Sequence, residues 1–147
     1  MEGMAAQQRP EIPQDMKAFN RKLIEEIRAN GGKITSGPMA GSSPMILTTK
    51  GRKTGEPQTV VIGWRPSGAA MVVIASNNGA ADHPQWYRNL MQDPHATAEV
   101  NGKTIQIRAR TAEGEERTRM GALIDYLERQ QEKTEREIPV VVLEPVQ

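Results

Sequence analysis

Lys50-Gly51-Arg52-Lys53-Thr54-Gly55-Glu56-Pro57 puts three cations into four residues and bends them with two glycines and a proline. A turn of this kind offers positive charge and backbone N–H groups to an anion. Arg52 can meet a phosphate or carboxylate with two parallel donors. The pattern is not a nucleotide-hydrolase phosphate loop, which ends in Gly-Lys-Ser/Thr and opens a helix; a strand pattern follows here. A solvated hairpin turn has the same composition, so the residues alone leave both readings open. Ser76-Asn77-Asn78-Gly79 leaves the end of an apolar run, where ligand contacts and plain loops both occur. His83-Pro84-Gln85-Trp86-Tyr87-Arg88-Asn89-Leu90 holds two of the five aromatics. Trp86 reads as core, Asn89 as an amide able to face a ligand, and His83 as a surface or capping residue. Tyr126 either edges the core or supplies a hydrogen bond or proton. No spacing gives a Ser–His–acid set, a carboxylate pair or a metal site.

These residues need elements to position them. Residues 45–49 and 59–64 read as strands on either side of the basic turn, and 70–76 as a third, with Pro66-Ser67-Gly68 as the turn between. The unbroken apolar run Met71-Val72-Val73-Ile74 suits a strand covered on both faces. A short helix starts near His83-Pro84, with Asp82 as cap and Trp86, Tyr87 and Leu90 inward. Asn101-Gly102 between alternating runs predicts a type I′ hairpin of 96–100 and 103–111. In its second strand Ile105, Ile107 and Ala109 share a face. One long helix is expected over 113–133, with Met120, Leu123, Ile124 and Leu127 as its stripe, then a last strand over 138–144. At the front, 1–13 reads as a flexible lead-in and 14–30 as a helix. Asp15 caps that helix, Met16, Phe19, Leu23, Ile24 and Ile27 form its stripe, and Asn30-Gly31-Gly32 ends it. Its stripe packs on the domain or, alternatively, meets a partner or a membrane surface. The sum is an α+β fold. About six mainly antiparallel strands form a closed or nearly closed barrel with peripheral helices, in a single domain over 14–147.

Composition bounds the rest. A net charge of +1 gives no general attraction to nucleic acid, so anion recognition is local. The absence of cysteine excludes disulfides and thiolate chemistry and fits a cytoplasmic protein. No apolar run approaches the ~20 residues of a membrane span, and no secretory leader is visible. Phe19, Trp64, Trp86, Tyr87 and Tyr126 are all the aromatics, so a flavin-like ring would find few faces to stack on.

The blocks Leu47-Thr48-Thr49-Lys50-Gly51-Arg52-Lys53-Thr54-Gly55-Glu56-Pro57, Ala75-Ser76-Asn77-Asn78-Gly79, His83-Pro84-Gln85-Trp86-Tyr87-Arg88-Asn89-Leu90 and Ile138-Pro139-Val140-Val141-Val142-Leu143-Glu144 occur in that order. Together they resemble the deazaflavin-dependent nitroreductase family of actinobacteria. The resemblance implies a split β-barrel related to the flavin-binding pyridoxine phosphate oxidases, and the coenzyme F420, an 8-hydroxy-5-deazaflavin with an anionic tail. It implies tail and phosphate contacts from the turn residues Lys50, Arg52, Lys53, Thr54 and Pro57. It places Ser76 and Asn77 near the ring or ribityl chain, and Trp86 and Asn89 along the pocket. The implied reaction is hydride transfer to an electron-poor small molecule: a quinone, a nitroaromatic, or an unsaturated lactone or coumarin. Tyr126 or Ser76 would be the proton donor. Gln58 and Asn77 stand where some members carry basic residues, and Gln130 and Gln131 where nitroreductase members carry tyrosines. Those departures bear on tail binding and nitroreduction. A non-catalytic deazaflavin carrier or sensor and a flavin mononucleotide oxidoreductase are the alternatives on the same barrel. A homodimer and a peripheral membrane contact through 14–30 are further expectations.

Overall fold

The computed structural model describes Pro10 and residues 18–146. The rest of the expected lead-in, the start of the first helix with its Asp15 cap, and the side chains of Met16 and Phe19 lie outside the described residues. The elements are α1 (Ala18–Ala29), β1 (Met45–Lys50), β2 (Pro57–Ile62), β3 (Arg65–Ser67), β4 (Ala70–Ile74), a 3-10 turn (Asn77–Gly79), α2 (Gln85–Gln92), β5 (His95–Val100), β6 (Lys103–Thr111), α3 (Gly114–Gly121), α4 (Leu127–Gln131) and β7 (Val140–Pro145). The seven strands make one antiparallel sheet in the order β2-β1-β5-β6-β7-β4-β3.

The two edges of that sheet, β2 and β3, are consecutive in the chain and separated only by Gly63 and Trp64. Three residue steps reach at most about 11 Å. Seven strands laid flat would put the edges roughly 29 Å apart. The sheet must therefore curl until its edges nearly meet, and the fold is an α+β split barrel. The seventh strand, β3, occupies Arg65–Ser67, where a turn was expected. Pro66 is tolerated because this is an edge strand, and the turn itself falls at Gly68, with φ 61°.

Inside the barrel Leu47, Val73, Ile107, Val141 and Leu143 meet Trp86, Tyr87 and Leu90 of α2. Outside it Val72, Ile74, Val140 and Val142 meet Met120 and Ile124. The apolar run of β4 is thus covered on both faces, as its pattern predicts. Asn101 and Gly102 take φ 50° and 79°, the left-handed pair of a type I′ turn. Ile24 and Ile27 of α1 are buried with Ile34 and Ile46, so this part of the stripe serves the fold. No helix among the described residues is long and apolar enough to cross a membrane.

The long helix expected over 113–133 is two helices. Past α3 the bonds Leu123 N to Met120 O (3.1 Å) and Ile124 N to Gly121 O (3.0 Å) span three residues instead of four. Gly121 is a weak helix former, and its bare backbone lets Leu127 approach. Asp125 is drawn to Arg65 (2.8 Å), and Leu123, expected on the stripe, is 40% exposed. Tertiary contacts win over local helix propensity. At α2, Pro84 occupies the cap position without a side-chain bond, while Asp82, the expected cap, faces Arg88 at 3.7 Å.

Helix α1 is fixed to β5 by charge. Arg28 donates from Nε and Nη2 to the two carboxylate oxygens of Glu99, each at 2.8 Å, and to the carbonyl of Pro10 at 2.8 Å. Glu99 is 7% exposed. Removing one partner of a buried pair strands the other, at about 3–5 kcal/mol. Arg28→Ala is expected to lower unfolding free energy by about that much, and Arg28→Met with Glu99→Leu to recover most of it. Urea denaturation of the three proteins reads this directly.

Candidate active site

The basic turn is closed on itself. Gly51 N donates to Glu56 O and Gly55 N to Gly51 O, both at 2.8 Å, and Thr54 Oγ1 accepts from Glu56 N at 3.1 Å. A Cβ on Gly51 would lie 2.9 Å from Glu56 O, so the closure requires glycine. Pro57 opens β2 opposite Lys50.

Asn89 ties this turn to α2. Its Oδ1 accepts from Arg52 N and Nη1 (both 3.1 Å), and its Nδ2 donates to Thr49 Oγ1 (2.9 Å) and Gln58 Oε1 (2.7 Å). This buried amide therefore has both donors and both acceptor positions filled. Arg52 Nη1 also donates to Gln85 Oε1 at 2.7 Å. The structure thus brings Lys50, Arg52 and Asn89 together around a pocket of about 300 Å³, with Gln92 and Asp93. Lys53 and Thr54 are exposed on the turn. Among the described residues Asp93 is the one carboxylate of the pocket, held below the usual carboxylate range by hydrogen bonds from His95. The cations of the turn outnumber it.

Ser76 and Asn77 stand in a second place. Asn77, Asn78 and Gly79 take successive left-handed φ values of 48°, 56° and 80°. Asparagine and glycine bear that conformation at least cost. Two side chains hold the loop. Asn77 Nδ2 donates to Asp82 O at 3.0 Å. Arg136 donates to the carbonyls of Ala80 (2.9 Å), Ser76 (2.8 Å) and Ala75 (3.2 Å), and its Nη1 lies 2.9 Å from His83 Nδ1. Gly79 lies under the stem of Lys133, where a Cβ would overlap it. Arg136 carries no signal in the sequence beyond its place just ahead of Ile138-Pro139; only the fold shows that it gathers this loop.

The third place is a cavity of about 750 Å³ between α1, the 34–44 segment, β2 and the barrel corner. Its lining is mostly apolar, with Leu23, Ile34, Val60, Ile62 and Trp64; among the described residues Arg65 is its one charged side chain and Tyr126 its phenol. Among the described residues β2 pairs only with β1, and its other edge meets this space. Glu26 pins the 34–44 segment through Thr35 N (2.8 Å) and Oγ1 (2.9 Å), and Trp64 Nε1 pins it through Ser43 O (2.8 Å). A Cβ on Gly63 would lie 2.9 Å from Tyr126 Oη, so the corner glycine makes room for the hydroxyl. Burial pushes the Tyr126 pKa up, against the opposing charge of Arg65, whose guanidinium carbon lies 5.4 Å from the ring centroid. Ser76 and Asn77 do not line this cavity. Trp86 is 8% exposed and packs edge-on to Tyr87 in the barrel core.

An anion-ready turn stands at one end of β2 and an apolar slot along its free edge at the other. The slot takes in Thr59 to Ile62, so it begins about 7 Å along the strand from Pro57 and runs to its far end, roughly 17 Å away. That donor set fits a molecule with an acidic tail and a flat ring with a polar rim. The split barrel with a basic turn and an apolar cavity along one strand suits the binding of a coenzyme with an anionic tail. The chain belongs to the F420H(2)-dependent quinone reductase family, whose model matches residues 19–145. The family's coenzyme is F420, and the protein is an oxidoreductase.

Individual relatives agree. Rv3178 of Mycobacterium tuberculosis, assigned the same activity, is 32% identical over 106 residues, covering 69% of this chain and 88% of its own. A solved F420-H2 dependent reductase, FDR-A, matches with a TM-score of 0.63 at 30% identity, over 69% of this chain and 93% of its own. A further structure, described as a domain-swapped dimer, matches with a TM-score of 0.64 at 30% identity, over 86% and 97%.

His83 serves Arg136 as an acceptor only while Nδ1 is unprotonated. Burial, then the charges of Arg136 and Arg88, hold its pKa below the ordinary 6.5, against the opposing Asp82. A depressed folded-state value means that stability is complete above the unfolded pKa and is lost as pH falls through the folded one. The melting temperature is therefore expected to drop on acidification below about 6.5. His83→Asn, which keeps an acceptor that does not titrate, should flatten that part of the profile. Melting curves across neutral and mildly acidic pH for both proteins measure it.

Proposed function

We propose that this chain reduces a quinone, with F420 lying along the free edge of β2. Lys50, Arg52 and Lys53 hold the acidic tail, and the ring end lies in the cavity beside Tyr126. The observation that carries this reading is the apolar 750 Å³ cavity along β2, whose lining among the described residues has one phenol and one cation, both at the end of the strand away from the basic turn. The bound reduced deazaflavin supplies a hydride. The chain's own residues do the rest. The turn fixes the coenzyme by its charged end, and the cavity excludes water from the reacting faces. Tyr126, a phenol already protonated at neutral pH whose pKa burial pushes further up, gives a proton to the acceptor oxygen.

Tyr126 lines the cavity and Ser76 does not, which favours Tyr126 as donor. Ser76 and Asn77, in the loop gathered by Arg136, approach the coenzyme from the end of β4, and Trp86 and Asn89 back the site from α2. Thr54 and Pro57 shape the turn. Quinones come first among acceptors because the family is one of quinone reductases. Nitroaromatics and unsaturated lactones are the wider electron-poor set. Three cations suit a long acidic tail better than the single phosphate of flavin mononucleotide. The relative described as a domain-swapped dimer supports a homodimer, which light scattering on the purified protein would read.

A fluorescence titration with F420 and, in parallel, flavin mononucleotide should show tight binding of F420 alone; preference for flavin mononucleotide would overturn the coenzyme. Arg52→Ala with Lys53→Ala should weaken F420 binding about 10²–10⁴-fold, since two hydrogen bonds to charged groups at about 1.5–3 kcal/mol each sum to about 3–6 kcal/mol. The remaining affinity should depend less steeply on salt. Unchanged affinity would remove the turn from the site. Tyr126→Phe should slow quinone turnover about 10²-fold without altering F420 affinity. An unaltered rate would leave protonation to water.

A further inference from the structure

We propose that Arg65 is a catalytic residue for acceptor reduction, its guanidinium receiving the acceptor oxygen on which negative charge develops. This rests on the cavity being the acceptor site. Among the described residues Arg65 is the one charged side chain in a lining otherwise apolar or neutral. It stands at the barrel corner, where β3 leaves Trp64, and its Nη1 donates to the Trp64 carbonyl at 2.9 Å. Its Nη2 donates to Asp125 Oδ1 at 2.8 Å. A guanidinium has five N–H donors, so these two bonds leave donors for a further oxygen. The Asp125 side chain is 80% exposed, whereas that of Arg65 is 39% exposed. Solvent screens the carboxylate while the cation borders the cavity. The plane that carries these donors also covers the Tyr126 ring, at 5.4 Å. One acceptor oxygen at this mouth can therefore meet a fixed cation and a phenol together.

Quinone reduction creates the charge this arrangement suits. A quinone that accepts one hydride, and with it two electrons from the reduced coenzyme, becomes a hydroquinone monoanion. The charge is formed in a poorly solvated space, where a preoriented donor acts far more strongly than in water. A proton from Tyr126 Oη completes the hydroquinone, and solvent returns a proton to the tyrosinate through the exposed side of the ring. Arg65 favours both stages, since a cation over the ring also stabilises the phenolate left behind. The charged groups facing Tyr126 are Arg65 from β3 and its chain neighbour Asp125, which act in opposite directions.

The test uses Arg65→Gln, Arg65→Lys and Asp125→Asn. The chain has two tyrosines, so a Tyr87→Phe background leaves Tyr126 as the only tyrosinate to follow by absorbance. Arg65→Gln should raise the Tyr126 midpoint and lower quinone kcat about 10²-fold, with F420 affinity unchanged. Arg65→Lys should return the midpoint and part of the rate. Asp125→Asn, at an exposed position, should move the midpoint down, which keeps the test open if Arg65→Gln does not fold. A folded Arg65→Gln with wild-type turnover overturns the proposal, leaving Arg65 as a staple of the segment before α4. So does an Asp125→Asn protein that loses turnover as far as Arg65→Gln does, since the staple and not the cation would then carry the effect. Wild-type protein that binds F420 but reduces no quinone overturns the parent reading instead, and the tyrosinate titration, made without coenzyme, keeps the two failures apart.

Discussion

Residues 57–67 are one chain segment that must serve both edges of the same sheet. β2 pairs with β1, β3 pairs with β4, and only Gly63 and Trp64 lie between. That covalent limit curls the sheet. Where the segment changes partners, one edge of β2 is left without a strand against it. The cavity opens there. Gly63 gives the corner its close approach to Tyr126, and Trp64 anchors the 34–44 segment as the opposite wall. The site exists because the barrel is split, and the split follows from how short this connection is.

Two side chains on other elements keep the neighbouring loops in place. Asn89 satisfies all its hydrogen-bonding capacity between α2 and the basic turn, so the turn's cations start from a fixed base. Arg136 does the same for the turn after β4, where consecutive left-handed residues need outside support. Both are polar hubs seated against a rigid barrel, which is the arrangement a site needs if its donors are to be aimed before a ligand arrives. A charged pair away from the site, Arg28 on Glu99, holds α1, and with it part of the cavity wall.

The parts legible in the sequence are those set by local chemistry. Asn101-Gly102 fixes a hairpin by its dihedral preference, and the β4 run announces two covered faces. The spacing of Trp86, Tyr87 and Leu90 marks the inner face of α2. What escaped depends on distant partners. A stretch with good helical periodicity over 113–133 breaks because Asp125 and Tyr126 are claimed by Arg65 across the fold. β3 is hidden in a Pro-Ser-Gly stretch that reads as a turn, since an edge strand of three residues has no periodicity to detect. Among the candidate residues, the basic turn and Tyr126 stand out by composition and rarity. Arg136 and Arg65 are two of many surface-type arginines until the fold gives them carbonyls and a ring to address.

The distribution of chemistry along β2 has a consequence for how such a site divides its work. Trp86 and Tyr87 are buried in the core while Trp64 and Tyr126 line the cavity, so a flat ring there finds a strand edge, aliphatic walls and two aromatic neighbours. On the proposed reading, affinity must then come largely from the charged end, where three cations are close together on a turn stiffened by its own hydrogen bonds. The ring end contributes position more than grip. Separating hold from chemistry by the length of a strand leaves the cavity free to vary its lining for different acceptors without loosening the coenzyme. The placement of a lone cation and a lone phenol in that lining then becomes a matter of reactivity alone.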